Sequence, residues 1–294
     1  GLAVVDEQHR FGVRQRMALA ELGDSPDVLV MSATPIPRSL ALTIYGDLDL
    51  SVLDELPPGR QRIRTGVRPA HKRQSVYDFI RQQVGEGRQA YIVYPLVEES
   101  DKVELRAAVA EYERLAAEVF PDLRLGLIHG QMAAEEKDCT MRAFAAGELD
   151  VLVSTTVIEV GIDVATATVM VIEHAERFGL SQLHQLRGRV GRGAAESFCI
   201  LMTDGDPEAS ARLDVLARTE DGFEIARADL RLRGMGDFFG PRQHGLPSFR
   251  FFDHERDEGL LMTARREARR LVEADPARRN VSPARCGSGR ACTA

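Results

Sequence analysis

A chain of 294 residues with 44% hydrophobic and 28% charged residues and a net charge of −7 has the composition of a folded protein of about two domains, which excludes fibrous and disorder-dominated architectures. Its apolar runs are strand-sized, such as Tyr91 to Val97, far short of the ~20 residues that a membrane span requires. The acidic balance excludes a uniformly basic nucleic-acid module.

Local charge is less uniform. Arginines gather at Arg187, Arg189 and Arg192, at Arg227, Arg231 and Arg233, and from Arg265 to Arg270, so basic surface can exist on an acidic protein. The last group reads equally well as the solvated face of an amphipathic helix. Cys139, Cys199, Cys286 and Cys292 show no Cys-x-x-Cys spacing and read as free thiols of a reducing cytoplasm. The chain opens on Gly inside a strand pattern, with no signal-peptide features, so its start is expected to be cut.

In chain order, the first element is an apolar strand, Leu2 to Val5, that runs into Asp6 and Glu7. A parallel strand ending in two acids places them at the carboxyl edge of its sheet, where open α/β folds bind ligands. In a nucleotide hydrolase, Asp6 would hold Mg²⁺ through water and Glu7 would orient the attacking water; the same acids also suit the cap of a following helix. No Gly-x-x-x-x-Gly-Lys-Ser/Thr loop occurs anywhere. Asp27 to Thr34 predicts a second strand, ending in Ser32 and Thr34. Those hydroxyls would sit beside the acids and bridge a hydrolytic site to a moving domain, or would form a turn or cap. Pro57-Pro58-Gly59 marks a linker, so residues 1–60 are expected to be the last third of a first domain.

Residues 61–205 alternate between strand and helix. Arg64 to Arg68 predicts a short strand, Ser75 to Gly87 a helix, Ala90 to Val97 a strand and Val103 to Phe120 a helix; in the last, Leu105, Ala108, Tyr112, Leu115 and Val119 share a face. Strand Leu123 to His129, helix Ala133 to Ala146, strands Asp150 to Thr155 and Thr168 to His174, helix Gln182 to Arg192 and strand Ser197 to Thr203 follow. Such alternation implies right-handed crossovers and a complete parallel-sheet α/β domain. Residues 206–279 predict a helical region, with helices Ala209 to Arg218, Phe223 to Arg233 and Asp257 to Ala274 around a Gly-rich, aromatic stretch from Gly234 to Phe252. Residues 280–294 have no apolar period and are expected to be disordered.

Two constellations in the second domain carry chemistry. Thr155 and Thr156 follow a strand and precede Glu159, Gly161 and Asp163; hydroxyls and N–H groups there suit a nucleic-acid phosphate, and Thr156 with Glu159 also makes a capping box. Gln185, Arg189 and Arg192 stand at i, i+4 and i+7, which places an amide and two guanidiniums on one face of the predicted helix. Arginines so aimed can grip a γ-phosphate, where such groups speed transfer by about 10³- to 10⁵-fold; arginines at helical spacing are otherwise solvated surface. Gly188, Gly191 and Gly193 weigh against a plain surface helix, since an interior glycine costs up to about 1 kcal/mol.

Taken together these segments resemble the superfamily 2 helicases, whose motor is a pair of RecA-like α/β domains. Asp6 to Val13 is similar to their Walker B motif, Ser32 to Arg38 to motif III, Tyr91 to Pro95 to motif IV, Ser154 to Asp163 to motif V and Gln185 to Arg192 to motif VI. The stretch Asp221-Gly222-Phe223 through Leu232-Arg233-Gly234 to Gln243-His244-Gly245 resembles the translocation motif shared by the bacterial branched-DNA translocases and the transcription-repair coupling translocases. The wording around Gln8-His9 and from Leu48 to Arg60 looks more like the former. The match covers roughly residues 1–275; Met235 and Ala165 stand where such proteins usually have proline.

The resemblance implies an α/β motor: a partial first domain, a complete second parallel-sheet domain and a helical C-terminal region. It implies ATP and Mg²⁺ as cofactors, with Asp6 for Mg²⁺ through water, Glu7 as catalytic carboxylate, and Arg189 and Arg192 sensing phosphate. Gln185, Gly161 and Asp163 would face the nucleotide; Ser32, Thr34, Thr155 and Thr156 would couple to nucleic acid, and Arg233 and Gln243 would convert domain closure into movement. Implied partners are branched or duplex DNA, with no membrane. The upstream motor and wedge domains of the same protein would be missing, so the chain alone is expected to show negligible ATP hydrolysis. The implied location is the bacterial cytoplasm, on the nucleoid. Rival readings are a translocase that displaces RNA polymerase and a DNA-binding fragment that consumes no nucleotide.

Overall fold

Strand β1 (Leu2–Asp6) pairs in parallel with β2 (Asp27–Met31), in a register that sets Asp6 opposite Met31. The structure, a computed structural model, describes residues 1–6, 26–31, 51–53, 55, 61–95, 101–155, 163–204, 207–239 and 257–274, with backbone alone at 101–107, 208, 230, 232–239 and 258. The chain divides into two compact units: residues 1–35 with 51–240, and residues 36–50 with 241–294.

The larger sheet of the first unit has six strands: β3 (Ile63–Pro69), β4 (Gln89–Val93), β5 (Leu125–Ile128), β6 (Val151–Ser154), β7 (Ala167–Ile172) and β8 (Ser197–Thr203). Their spatial order is β3-β8-β7-β4-β6-β5, and every pairing is parallel. Strands β4, β6 and β7 are buried at every residue. That is why they read as continuous apolar runs, since both faces of the sheet are covered.

The two faces carry two cores, as the strand period of two requires. Tyr91, Val93, Leu152, Met170, Ile172, Cys199 and Leu201 point to one face. There they meet α3 (Ala134–Ala145), α4 (Leu180–Arg187), α5 (Pro207–Arg218) and the start of α6 (Gly222–Phe239). Ala90, Ile92, Val151, Val153, Val169, Val171 and Met202 point to the other, against α1 (Arg73–Gly85) and α2 (Asp101–Arg114). Gln89 joins the central strand to its surroundings: its Nε2 donates to the carbonyls of Phe144 and Leu149, each at 2.6 Å, and its Oε1 accepts from the Thr166 hydroxyl.

The predicted elements recur with small shifts at their ends. Helix α2 reaches Arg114 and widens into a π turn over Leu115–Val119, closed by Phe120 N–H on the Leu115 carbonyl at 2.6 Å; this buries both Leu115 and Phe120 completely. Helix α6 does not stop at Arg233 but continues through Gly234 and Gly236 to Phe239. The apolar positions Leu232, Met235 and Phe239 prolong the helical period, and glycine weakens a helix without forbidding it. In the second unit the described element is α7 (Glu258–Ala274), whose Leu260, Leu271 and Val272 are exposed beside four arginines. The remainder of the predicted Gly-rich stretch and the 280–294 tail lie outside the described residues.

Candidate nucleotide and nucleic-acid site

The turn that carries Arg189 and Arg192 is built by helix α4 and by what stops it. Leu180, Leu183 and Leu186 anchor α4 in the core. Asp229 of α6, itself buried, caps its start by accepting hydrogen bonds from Leu180 N–H and Ser181 Oγ, each at 3.3 Å. The helix ends at Arg187 with Gly188 as its cap. Arg189 N–H then bonds the Leu186 carbonyl at 3.0 Å and Val190 N–H the Arg187 carbonyl at 3.2 Å, a tightened last turn.

The expectation that Gln185, Arg189 and Arg192 share one helical face is therefore corrected. Gln185 lies on the helix, Arg189 in the closing turn, and Arg192 beyond Gly191, whose φ is +76°. The glycines allow this turn. A Cβ at Gly191 would sit 2.8 Å from Ile63 Cγ1, and one at Gly193 would sit 2.6 Å from the Ala165 carbonyl oxygen, so the turn lies directly against the start of β3 and the loop before β7.

That packing places the two arginines at the amino edge of the six-stranded sheet. There Arg192 forms an ion pair with Asp163 and donates from Nε to the Gly188 carbonyl at 3.2 Å. Arg189, Arg192 and Asp163 all act on the phenol of Tyr91, which burial pushes up to about 12 while the two arginines pull it down. Three of the expected nucleotide-facing groups are thus within electrostatic reach of Tyr91, and guanidiniums suit a polyphosphate.

Thr155 belongs to the opposite edge. It follows β6, donates its N–H to the Ile128 carbonyl at 3.2 Å, and is fully buried, its hydroxyl without a partner among the described residues. The same carboxyl edge holds His174, in a left-handed conformation (φ 49°), whose Nδ1 lies 3.2 Å from Asp204 and 3.5 Å from Glu176. Asp6 is exposed at the end of β1. Glu7, Ser32, Thr34, Thr156, Gly161 and Gln243 lie outside the described residues, as does the side chain of Arg233.

Two supporting residues take roles other than those read from the sequence, where Arg187 groups with basic surface and Asp229 with the translocation motif. Arg187 is buried and donates from Nη1 to the carbonyls of Leu216 at 2.6 Å and Thr219 at 3.0 Å, tying α4 to the end of α5; burial lowers its pKa. Its position, four after Leu183 and seven after Leu180, puts it on the apolar face of α4, a signal legible in the spacing. Asp229 stands four after Ile225 on the buried face of α6 and was legible in the same way.

Comparison with known proteins places these elements. Residues 71–194 match the helicase conserved C-terminal domain, and residues 219–284 match the C-terminal part of domain 3 of ATP-dependent DNA helicase RecG. The chain is 57% identical to the RecG of Thermotoga maritima over 92% of its own length and 35% of the relative's. It is 53% identical to that of Synechocystis over 94% of its own length and 33% of the relative's. It spans about a third of the curated relatives it matches. A solved structure of RecG bound to a three-way DNA junction superposes with a TM-score of 0.68 at 52% identity, covering 89% of this chain and 33% of that one. With residues 71–194 spanning most of the parallel RecA-like sheet, the 219–284 segment following it on helices, and identity sustained over more than nine-tenths of its residues, this chain corresponds to about a third of the RecG ATP-dependent DNA helicases.

Proposed function

We propose that this chain provides part of the motor and the translocation helices of an ATP-dependent helicase that remodels branched DNA, such as stalled forks and Holliday junctions, in bacterial recombination and repair. The observation that carries the reading is the pairing of Asp163 with Arg192 beside Arg189 on a turn whose helix is capped by Asp229 of α6. The groups expected to meet nucleotide and the helix expected to move on DNA are then one packed unit.

In this reading Asp6 would hold Mg²⁺, which would offset phosphate charge, and Glu7 would orient the attacking water. Bound ATP supplies the γ-phosphoryl group whose transfer to water releases energy. Arg189 and Arg192 bind the γ-phosphate and offset its developing charge, while Gln185, Gly161 and Asp163 position the nucleotide. Ser32, Thr34, Thr155 and Thr156 relay the change to nucleic acid, and Arg233 and Gln243 turn it into movement along duplex DNA. The site of action is the bacterial cytoplasm, on the nucleoid; no helix among the described residues is long and apolar enough to cross a membrane.

The test is DNA-stimulated ATP hydrolysis in a protein of the relatives' full length. Arg192→Ala should cut kcat by about 10³-fold or more while junction binding persists; unchanged turnover overturns the assignment. The 294-residue chain by itself should show negligible turnover, and turnover abolished by Glu7→Gln would contradict that.

A further inference from the structure

Strand β3 is an edge of the six-stranded sheet, and arginines stand at alternate positions along it. Arg62 precedes the strand and Arg64 and Arg68 lie within it, all three exposed. Even-numbered residues of β3 share the face of Phe198, Ile200 and Met202, their partners in register on β8.

Gly66 interrupts the series at the position where a fourth side chain would stand. A Cβ built there would meet Arg68 Nη1 at 3.3 Å and Cζ at 3.6 Å. The guanidinium of Arg68 therefore folds back over Gly66, held by an Nη1 bond to the Val67 carbonyl at 2.9 Å. The glycine makes room for it. The Arg68 head then stands at the level of residue 66, closer along the strand to Arg64 than its own position in the chain.

We infer that this arginine ladder is a docking surface for the phosphodiester backbone of duplex DNA, separate from the hydroxyls and translocation helices already assigned to nucleic acid. The inference rests on the DNA-acting reading above. Three exposed guanidiniums along one edge suit a polyanion, and the guanidinium fork fits phosphate oxygens. Charges that only guard an edge strand against added strands need neither share a face nor be arginine. Among the described residues the acidic group facing the ladder is Glu196, which pairs with Arg64 Nε at 2.5 Å; Glu220 instead accepts from the Ile63 backbone N–H at 2.7 Å. Glu196 leaves Arg62 and Arg68 to bind phosphate and fixes Arg64 in the row.

The test is fluorescence anisotropy of labelled duplex DNA against the 294-residue chain across a salt series. The triple variant Arg62→Ala/Arg64→Ala/Arg68→Ala should bind at least tenfold more weakly, with a slope of log K against log salt shallower by about 2, since each phosphate neutralised by Arg62 or Arg68 contributes about 0.9. A control of equal charge, Arg265→Ala/Arg266→Ala/Arg269→Ala on α7, should keep a steeper slope than the β3 variant. The triple lysine variant should restore the slope with a weaker Kd, which also separates lost contacts from lost folding. If the unaltered chain binds and the β3 alanine variant binds equally well, or the α7 control loses as much slope, the ladder is overturned and the helicase reading stands. If the unaltered chain shows no salt-dependent DNA binding, the ladder is overturned, and the helicase reading is decided by the full-length hydrolysis test.

Discussion

Asp163 and Arg192, 29 residues apart in sequence, form an ion pair at the amino edge of the six-stranded sheet. The pair joins the segment that leaves β6 to the turn that ends α4, so the placement of Arg192 depends on both. Both side chains meet solvent, and an exposed pair contributes about 0–1 kcal/mol. Asp163→Asn should therefore change urea stability by less than about 1 kcal/mol yet lower kcat of the full-length enzyme. A loss of stability equal to that of a core mutation would show that Asp163 serves folding instead.

A different balance holds for Arg73 and Glu173. Arg73 donates from Nε at 3.2 Å and Nη2 at 3.0 Å to the two oxygens of Glu173, whose side chain is 1% exposed. Arg73→Ala strands a buried carboxylate. The expected cost in urea unfolding is about 2–3 kcal/mol, lower than for a wholly buried pair because Arg73 is 35% exposed. Double replacement with Glu173→Gln should recover part of it.

Gly87 and Gly191 separate two penalties. Both have positive φ, but a Cβ at Gly87 meets open space while one at Gly191 meets Ile63 at 2.8 Å. Gly87→Ala should cost about 1–2 kcal/mol of left-handed strain, and Gly191→Ala about 1–3 kcal/mol more from overpacking. Equal losses in thermal unfolding would show that the contact with Ile63 is soft.

Alkaline titration should destabilise the fold in a defined window. The Tyr91 phenol is pushed up to about 12 by burial from about 10 in an unfolded chain. Between those values the unfolded state loses a proton that the folded state keeps, so stability is full below about pH 10 and falls as pH rises toward 12, by about 2–3 kcal/mol. Tyr91→Phe should flatten that part of the urea-stability profile. Tyr94, raised still further by burial, keeps some slope in the variant.

The thiols should differ in the same physical terms. Burial pushes Cys199 up to about 12, whereas Cys139 is exposed. In a Cys286→Ser/Cys292→Ser background at pH 8, a disulfide reagent should label Cys139 rapidly and Cys199 only on unfolding. Rapid double labelling would show that β8 opens locally.

The alternation of strand and helix from residue 61 to 205 determined the parallel sheet before any coordinate, because strands buried on both faces and amphipathic crossover helices leave unmistakable periods in Leu152, Val169 and Leu183. The candidate acids and arginines were equally plain as residue types. Which edge of the sheet each occupies was not, since edge position depends on where a helix ends and how the chain returns. A helical period run through Gly188 to Arg192 puts both arginines on one face; in the structure the helix ends at Arg187, and the close packing of Gly191 on Ile63 and Gly193 on Ala165 accompanies the turn that sets Arg192 on Asp163. Arg73 with Glu173, and Asp229 with α4, join residues about 50 to 100 positions apart and leave no local trace. Periodicity records what each element buries, so the sequence by itself determined the layers. The tertiary structure alone decided which charges meet, because that is settled by packing between elements distant in the chain.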